Sequence, residues 1–319
     1  MEKRRAASVG LPVYNGEDFL APALDAILAQ DYEDFELIIS DNASTDATSE
    51  IALDYAARDP RVRYSRNETN IGAVGNFNRV FALSDSKYFM WAGAHDLRHP
   101  TMLSRCISVL EADPEVVLAY PRVAGIDREG KPCEMRMVYI DTRGQRPVDR
   151  YATVISKIRS CHMIHGVFRS AALRRAGEMP NISWGPDILL LAKLALAGTF
   201  AVVDETLYYP RRVRPDEAKN FEAWKKRYLE TLDPATVAQS RAASVEDLCR
   251  ASRDAHLEVI AESDLSFADK TRARIKTLRC FERRFGVRLP GFFLRRYLPS
   301  AITRRVRGIR AAKPLASRS

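Results

Sequence analysis

Short apolar stretches alternate with longer amphipathic stretches through most of the first 210 residues. The apolar stretches predict β-strands at 8–13, 37–39, 62–65, 88–91, 116–120 and 200–203. Apolar residues that recur every three or four positions predict helices at about 18–30, 46–58, 74–82, 100–112 and 188–196. Strands that alternate with helices of this length form a mostly parallel sheet with right-handed crossovers, so we expect an α/β fold.

The pattern changes at two places along the chain. Residues 121–150 are polar and irregular, with several Gly and Pro, and indicate an insertion or a loop on the acceptor side of a site. From about 216 onward the pattern predicts helices and no further strand. We therefore predict an α/β domain at 1–215 and a helical extension at 216–319.

The loop after the predicted strand at 37–39 carries a dense group of short polar side chains. These are Asp41, Asn42, Ser44, Thr45 and Asp46. Ligands of open α/β sheets bind at the carboxyl ends of the strands, and the following helix brings free N–H groups to the same edge. Such residues also form ordinary turns that cap a helix, so the loop alone leaves both interpretations open.

Length and composition bound the class of protein. The chain has 319 residues, of which 46% are apolar and 29% charged, as in globular proteins. We expect no signal peptide, because the basic N-terminal stretch lacks an apolar core, and no apolar stretch is long enough to span a bilayer. The five Cys show no CxxC spacing, so we expect reduced thiols in the cytoplasm.

The net charge of +9 is concentrated at the C-terminal end. Residues 1–215 carry 27 Lys/Arg against 28 Asp/Glu, and 216–269 carry 7 against 12. Residues 270–319 carry 16 against 1, a net charge of +15. In this tail Arg residues flank an apolar group made of Phe292, Phe293, Leu294, Tyr297, Leu298 and Ile302. This composition predicts an interfacial segment on an anionic membrane rather than a nucleic-acid site; a solvated or partner-binding helix is the alternative.

Four motifs occur in order, each at a strand end or a helix start: VGLPVYNGEDFL, LIISDNASTD, RNETNIGAVGNFN and FMWAGAHDLRHP. Together they make about residues 6–210 resemble a family 2 glycosyltransferase of the GT-A fold. The resemblance implies a nucleotide-diphosphate-sugar donor, with UDP or dTDP expected, and inverting transfer of a hexosyl or deoxyhexosyl group.

The same resemblance assigns candidate donor-binding residues at the strand ends. They are Pro12, Tyr14, Asn15, Glu17, Asp41, Asn42, Arg66, Asn70, Gly72, Asn76, Ala94 and His95. Asp41 matches the carboxylate that accepts a hydrogen bond from the nucleobase imide. Ser44 and Asp46 are expected to hold the loop and cap its helix rather than to contact ligand.

The fourth motif departs from the family pattern. Members of this family usually have Asp-x-Asp or Asp-Asp here, which binds Mg²⁺ or Mn²⁺ beside the diphosphate. This chain has Gly93-Ala94-His95-Asp96, which leaves one carboxylate. The hypothesis from sequence is a divalent cation held by Asp96 and His95, with Mn²⁺ preferred because imidazole suits it better than Mg²⁺.

Asp187 opens the helix at 188–196 and resembles the family's acceptor-side carboxylate, so we predict that it is the general base. A plain helix N-terminal carboxylate is the alternative. His165 and Trp184 are expected near the acceptor, and Arg211 and Arg212 within reach of the diphosphate.

The sequence thus predicts a glycosyltransferase that is peripheral on the cytoplasmic membrane face and uses a glycan or lipid-linked acceptor. A sugar-nucleotide nucleotidyltransferase is the enzymatic alternative, disfavoured because a Gly-rich, Arg-containing loop does not follow the first strand. A degenerate, non-catalytic member that binds a membrane or a partner is the other alternative, supported by Ala94-His95 in place of an acidic pair.

Overall fold

The computed structural model describes residues 5–158, 161–182, 185–212 and 244–285. Within them, eight strands form one sheet in the order β3-β2-β1-β4-β9-β6-β10-β5, and β7 pairs with β8. The strands are β1 Ala7–Val13, β2 Phe35–Asp41, β3 Val62–Arg66, β4 Tyr88–Trp91, β5 Leu97–Arg98, β6 Val116–Val123, β7 Gly125–Ile126, β8 Pro132–Cys133, β9 Val167–Arg169 and β10 Thr199–Tyr209.

Helices cover both faces of this sheet. They are α1 Leu20–Leu28, α2 Thr48–Arg58, α3 Gly72–Ala82, α4 Met102–Ala112, α5 Pro147–Lys157, α6 Ser170–Ala176, α7 Pro186–Ala197, α8 Val245–Glu262 and α9 Phe267–Phe285. The pairs β1–β2, β2–β3, β1–β4 and β6–β10 are parallel, while β9 runs antiparallel to both of its neighbours. The expected mostly parallel α/β sheet is therefore confirmed.

Alternating side chains of the central strands fill two apolar layers. Val9 and Leu11 belong to the layer that includes α1 and α4, whereas Phe89 and Trp91 face the layer that includes α3 and α7. Gly10 allows the second layer to close: a Cβ there would lie 2.6 Å from the Phe89 ring and 3.0 Å from Val80. Both faces of the sheet are therefore covered, which leaves its strand ends to carry the site.

Several elements differ from the sequence prediction. Helix α5 begins at Pro147, within the segment 121–150 that we expected to be irregular, and continues to Lys157. Strand β9 and helix α6 had no predicted counterpart. Strand β10 runs to Tyr209 instead of ending at 203, because a register shift between Val203 and Thr206 accommodates exposed Asp204 and Glu205. This irregularity interrupts the apolar pattern without ending the strand.

The last two described helices pack on α5 and α7. At their centre the hydroxyl of Tyr151 lies 3.2 Å from Nδ1 of His256 and 3.0 Å from the hydroxyl of Thr277, all buried. The division at residue 215 stays a prediction. Most of the basic tail, 286–319, lies outside the described residues. In the described part of the chain, no helix is long and apolar enough to span a bilayer.

Candidate functional site

The carboxyl ends of β1, β2, β3 and β4 lie side by side, because these four strands are parallel neighbours in the sheet. The loops that follow them are therefore brought to one edge. They contain the donor-side residues predicted from the four sequence motifs. Parallel sheets bind ligands at this edge, so it is the candidate active site.

The first two loops, 14–17 after β1 and 42–48 after β2, are hydrogen-bonded to each other in both directions. Ser44 Oγ accepts from the Asn15 N–H at 3.0 Å, and Asn15 Oδ1 accepts from the Thr45 N–H at 2.8 Å. Asp46 accepts from the Glu17 N–H at 3.1 Å, and the carboxylate of Glu17 accepts in return from the Ala47 N–H at 2.9 Å. The two loops therefore form one structural unit.

Two residues of this unit have left-handed backbone conformations. Asn15 has φ 48° and Ala43 has φ 61°. Asn tolerates this region through its short polar side chain, whereas Ala is strained there by roughly 1–2 kcal/mol. Tyr14, next to Asn15, is 49% exposed, and Pro12 is half-buried in β1. The ring of Tyr14 is thus available at the open side of the site.

Asp41 is fully buried at the end of β2 and is already hydrogen-bonded by its own surroundings. Its carboxylate accepts from the Ser44 N–H at 2.8 Å, from the Tyr64 hydroxyl at 2.8 Å and from Arg66 at 2.6 Å. Burial alone would raise the pKa of the Asp41 carboxyl, but Ser44, Tyr64 and Ser49 lower it below its usual value. Asp41 is therefore an ionised group that holds the loop, and its contact with a nucleobase stays a prediction.

An asparagine network holds the third loop against the second. The amide of Asn42 donates to Asn70 Oδ1 at 2.8 Å and to the Gly72 carbonyl at 3.2 Å, and its oxygen accepts from Asn67 and from the Ile71 N–H. Gly72 has φ 77°, a conformation that favours glycine. Asn42 thus donates two hydrogen bonds and accepts two, and an ionised carboxylate in its place could not donate.

Asn76, on α3, joins the same network from below. Its amide donates to the Ser40 carbonyl at 2.8 Å, and its oxygen accepts from the Ser40 hydroxyl at 2.6 Å. Asn76 is 3% exposed, so in this structure it positions the strand ends. Arg66, at the end of β3, also donates to the Ser44 carbonyl at 2.7 Å and remains 42% exposed.

The fourth loop brings Asp96 into the protein rather than towards solvent. Asp96 is 3% exposed. One carboxylate oxygen accepts from the Tyr208 hydroxyl, and the other accepts from the Arg211 N–H at 2.9 Å and lies 3.5 Å from Nε2 of His95. The Ala94 Cβ lies 3.8 Å from where a Cβ on Gly16 would stand, so the first and fourth loops are adjacent.

Charged neighbours determine the protonation state of Asp96. Burial alone would raise the pKa of its carboxyl, but His95, His165 and Arg98, with the Tyr208 hydroxyl, lower it below the usual value. Burial also lowers the pKa of His165 to about 4, so this imidazole is neutral at pH 7. Arg98 is therefore the permanent positive charge beside Asp96.

The 3₁₀ turn His162–His165 lies between this cluster and α7. The rings of His162 and His165 lie 6.2 Å and 5.5 Å from the Tyr208 ring. On the other side, the thiol of Cys161 is hydrogen-bonded to the Asp187 carboxylate; burial raises the pKa of this thiol, and the Asp187 charge raises it further. Asp187 is half-buried in the first turn of α7 and accepts from the Ile188 N–H at 2.9 Å.

Arg211 connects three parts of the site. Its guanidinium donates to the His95 carbonyl at 3.0 Å and to the carbonyls of Asp127 and Arg128 at 3.1 and 2.9 Å. It also lies 4.9 Å from the ring of Phe19, which Arg128 contacts at 5.0 Å. Arg211 is thus fixed between the first and fourth loops by neutral acceptors and an aromatic ring.

The structure brings most of the predicted site residues together at one sheet edge and adds others. Trp184 lies outside the described residues. The residues that sequence reasoning missed are Phe19, Arg98, Cys161, His162 and Tyr208. Tyr208 lies in the part of β10 that the apolar pattern did not extend to, and Arg98 faces it because β5 and β10 pair in that register. Local spacing carries no signal for such a contact.

The residues at 93–96 do not fit a divalent cation. Both Asp96 oxygens already accept hydrogen bonds, Gly93 and Ala94 offer no side-chain ligand, and His95 supplies a single imidazole. Within the described residues, no group of three or more His, Cys, Asp or Glu is arranged to hold a metal ion. Hard cations need several oxygen ligands, and both oxygens of Asp96, which is the one carboxylate at 93–96, are already bound by protein donors.

The sequence of residues 8–175 matches the family described as Glycosyl transferase family 2. The match covers more than half of the chain, and the chain belongs to this family. It is 35% identical over 105 residues to EpsE of Bacillus subtilis (strain 168), whose name assigns it provisionally to the glycosyltransferases. That alignment covers 33% of this chain and 38% of EpsE, so the chain spans well under two thirds of that relative.

Solved structures share the fold at lower identity. TarS of S. aureus, solved in complex with UDP-GlcNAc, is 18% identical with a TM-score of 0.64, over 87% of this chain and 73% of that one. The mannosyltransferase PcManGT of Pyrobaculum calidifontis, solved with GDP-Man and Mn²⁺, is 18% identical with a TM-score of 0.51, over 98% and 82%. The fold is thus the GT-A fold.

Proposed function

We propose that this enzyme transfers a hexosyl or deoxyhexosyl group, with inversion, from a UDP- or dTDP-sugar to a glycan or lipid-linked acceptor. The convergence of the loops after β1, β2, β3 and β4 on one sheet edge carries the proposal. It supports a nucleotide site whose base side is the unit of Tyr14, Asn15 and Asp41, and whose diphosphate side faces the fourth loop. The nucleotide-sugar complexes of the two solved neighbours are consistent with such a donor.

Asp187 is the proposed general base. It is half-buried at the start of α7, and the turn bearing His162 and His165 separates it from Asp96. A carboxylate on that side can take the proton of an acceptor hydroxyl while the diphosphate leaves from the opposite face. His165 and Trp184 are proposed on the acceptor side.

The family resemblance implies a divalent cation, with Mn²⁺ preferred over Mg²⁺, that would neutralise the leaving diphosphate. Because the residues at 93–96 do not fit such an ion, no step of the proposed reaction is assigned to it.

The proposed place of action is the cytoplasmic face of the membrane, where lipid-linked acceptors are found. The support for it is the charge of the tail: residues 286–319 carry nine Lys/Arg and no Asp/Glu, interleaved with aromatic and aliphatic residues. Such a segment binds anionic lipid surfaces. No nucleic acid is part of the proposal.

A donor panel with a base variant tests the reaction. The wild-type enzyme should hydrolyse or transfer from one of UDP-, dTDP- or GDP-sugars, with NMR showing inverted anomeric configuration in the product. Asp187→Asn should lower transfer by at least about 100-fold with nucleotide affinity nearly unchanged. Asp204→Asn, at an acid that is 82% exposed on β10, is the matched control and should keep full activity. Retained transfer in the Asp187 variant would refute the base assignment.

A further inference from the structure

The fourth loop is built so that Asp96 faces inward. Its Oδ2 lies 2.3 Å from the position that a Cβ on Gly93 would take. An acidic residue at 93 is therefore incompatible with Asp96 in this orientation. Gly93 therefore allows the inward turn of Asp96, in which the carboxylate binds protein donors.

Those donors come from the end of β10. The Tyr208 hydroxyl and the Arg211 N–H both bond to the Asp96 carboxylate. Asp96 therefore acts as a positioning residue: it fixes the backbone of Arg211, and the Arg211 guanidinium then lies between the first and fourth loops. Within the described residues, no carboxylate side chain forms an ion pair with Arg211, so its charge stays available.

Arg98 supplies a second positive charge beside the fourth loop. Arg98 is 4% exposed, donates to the Asp96 carbonyl at 3.4 Å, and lies 5.3 Å from the Tyr208 ring. Among the described residues, its Nε and Nη2 are buried without a hydrogen-bond partner. Buried polar groups are almost always satisfied, so these two guanidinium nitrogens beside the fourth loop point to an acceptor outside the described residues.

We propose that the donor diphosphate is neutralised by Arg211, supported by Arg98, and that donor binding needs no divalent cation. The inference rests on the proposed function. Arg is suited to this task because its charge is permanent and its guanidinium carries several donors. In Arg211, Nε and Nη1 donate to backbone carbonyls, so Nη2 is the group proposed to face phosphate. The site then carries positive charge in the place where its relatives are expected to use a metal.

Calorimetric titration of the wild-type enzyme with UDP, dTDP and GDP is the test. The nucleotide that binds most tightly of the three should bind with the same affinity, within two-fold, in EDTA and in Mn²⁺. Arg211→Gln should lower the affinity for that nucleotide at least ten-fold in both conditions, while the affinity for the matching nucleoside stays within two-fold. The control is Arg105→Gln, whose guanidinium is 58% exposed on α4.

Loss of wild-type binding in EDTA with recovery in Mn²⁺ would overturn the inference and leave the proposed function standing. If none of the three nucleotides binds in either condition, the proposed function fails and the inference with it.

Discussion

The hydroxyl of Tyr208 donates a hydrogen bond to the carboxylate of Asp96, 112 residues earlier in the chain. Both groups are buried, and the Asp96 charge raises the pKa of Tyr208, which burial has already raised well above its usual value. The bond joins the end of β10 to the fourth loop. It therefore couples the stability of the sheet to the geometry of the site.

Removing this hydroxyl leaves a buried carboxylate short of one donor. We expect Tyr208→Phe to lower the free energy of unfolding by about 1.5–3 kcal/mol, the range for hydrogen bonds to charged groups. Nucleotide binding should weaken as well, because Arg211 is held by the same carboxylate. The neighbour Tyr209 is the control: its hydroxyl donates to the Thr206 carbonyl at the surface, so Tyr209→Phe should cost less than about 1 kcal/mol. Urea denaturation measures the free energy of unfolding of both variants. Equal losses would contradict the role assigned to the hydrogen bond between Tyr208 and Asp96.

The asparagine network predicts a difference between two chemically identical substitutions. Asn42→Asp places a carboxylate oxygen against Asn70 Oδ1 and the Gly72 carbonyl, where the amide now donates. We expect a loss of about 2–4 kcal/mol at pH 7, since one oxygen of the buried carboxylate would face acceptors instead of donors. In the contacts described here Asn70 uses its oxygen as an acceptor, from Asn42 and from the Gly72 N–H, so Asn70→Asp should be tolerated.

The pH at which unfolding is measured separates these two variants. Burial among acceptors raises the pKa of the new carboxyl, so the cost of Asn42→Asp should shrink as the pH falls from 7 towards 4, where the carboxyl becomes protonated and can donate. A pH-independent loss in the Asn42 variant would count against the network.

The buried imidazole of His256 on α8 predicts that the free energy of unfolding depends on acid pH. Burial lowers the pKa of this imidazole to about 3, against 6.5 when it is unfolded. Between these values the unfolded state binds more protons, so stability is complete above pH 6.5 and falls as the pH drops towards 3. This group alone contributes about 1.4 kcal/mol per pH unit in that window.

The contribution of His256 can be isolated by substitution. In His256→Gln the amide can still meet the Tyr151 hydroxyl, and the slope of unfolding free energy against pH should be smaller by about 1.4 kcal/mol per unit. Urea unfolding of both proteins at pH 7, 6, 5 and 4 measures the difference. Parallel curves would show that His256 does not titrate as described.

The basic tail predicts membrane binding that depends on residues 286–319. The structure refines where to cut. Ala273, Leu278 and Phe281 of α9 are buried, so a deletion from 270 would remove them and expose the apolar residues that they cover, whereas a deletion from 286 keeps them. Removing 286–319 should abolish co-sedimentation with phosphatidylserine vesicles and leave nucleotide binding intact. Phosphatidylcholine vesicles are the control for the full chain. Unchanged co-sedimentation of the shortened protein would refute the role of the tail.

The sequence predicted the ends of β1 and β4 at Val13 and Trp91, because apolar runs stop abruptly at polar loops there, but it ended β2 at 39 instead of Asp41. Helix α5 was missed although Val148, Tyr151, Val154 and Ile155 fall on one buried face. That signal was present, but Gly and Pro around it suggested a loop. The contacts of Asp96 could not be predicted, because they depend on strand register and on side-chain direction across more than one hundred residues.

The hydrogen bonds between the loop at 14–17 and the loop at 42–48 have a consequence for engineering. Each loop supplies acceptors for the other's N–H groups, so neither keeps its shape alone. A chimera that takes one loop from another glycosyltransferase would leave backbone donors of both without partners. We therefore expect that the nucleotide preference proposed for this site can be changed only when both loops are replaced together.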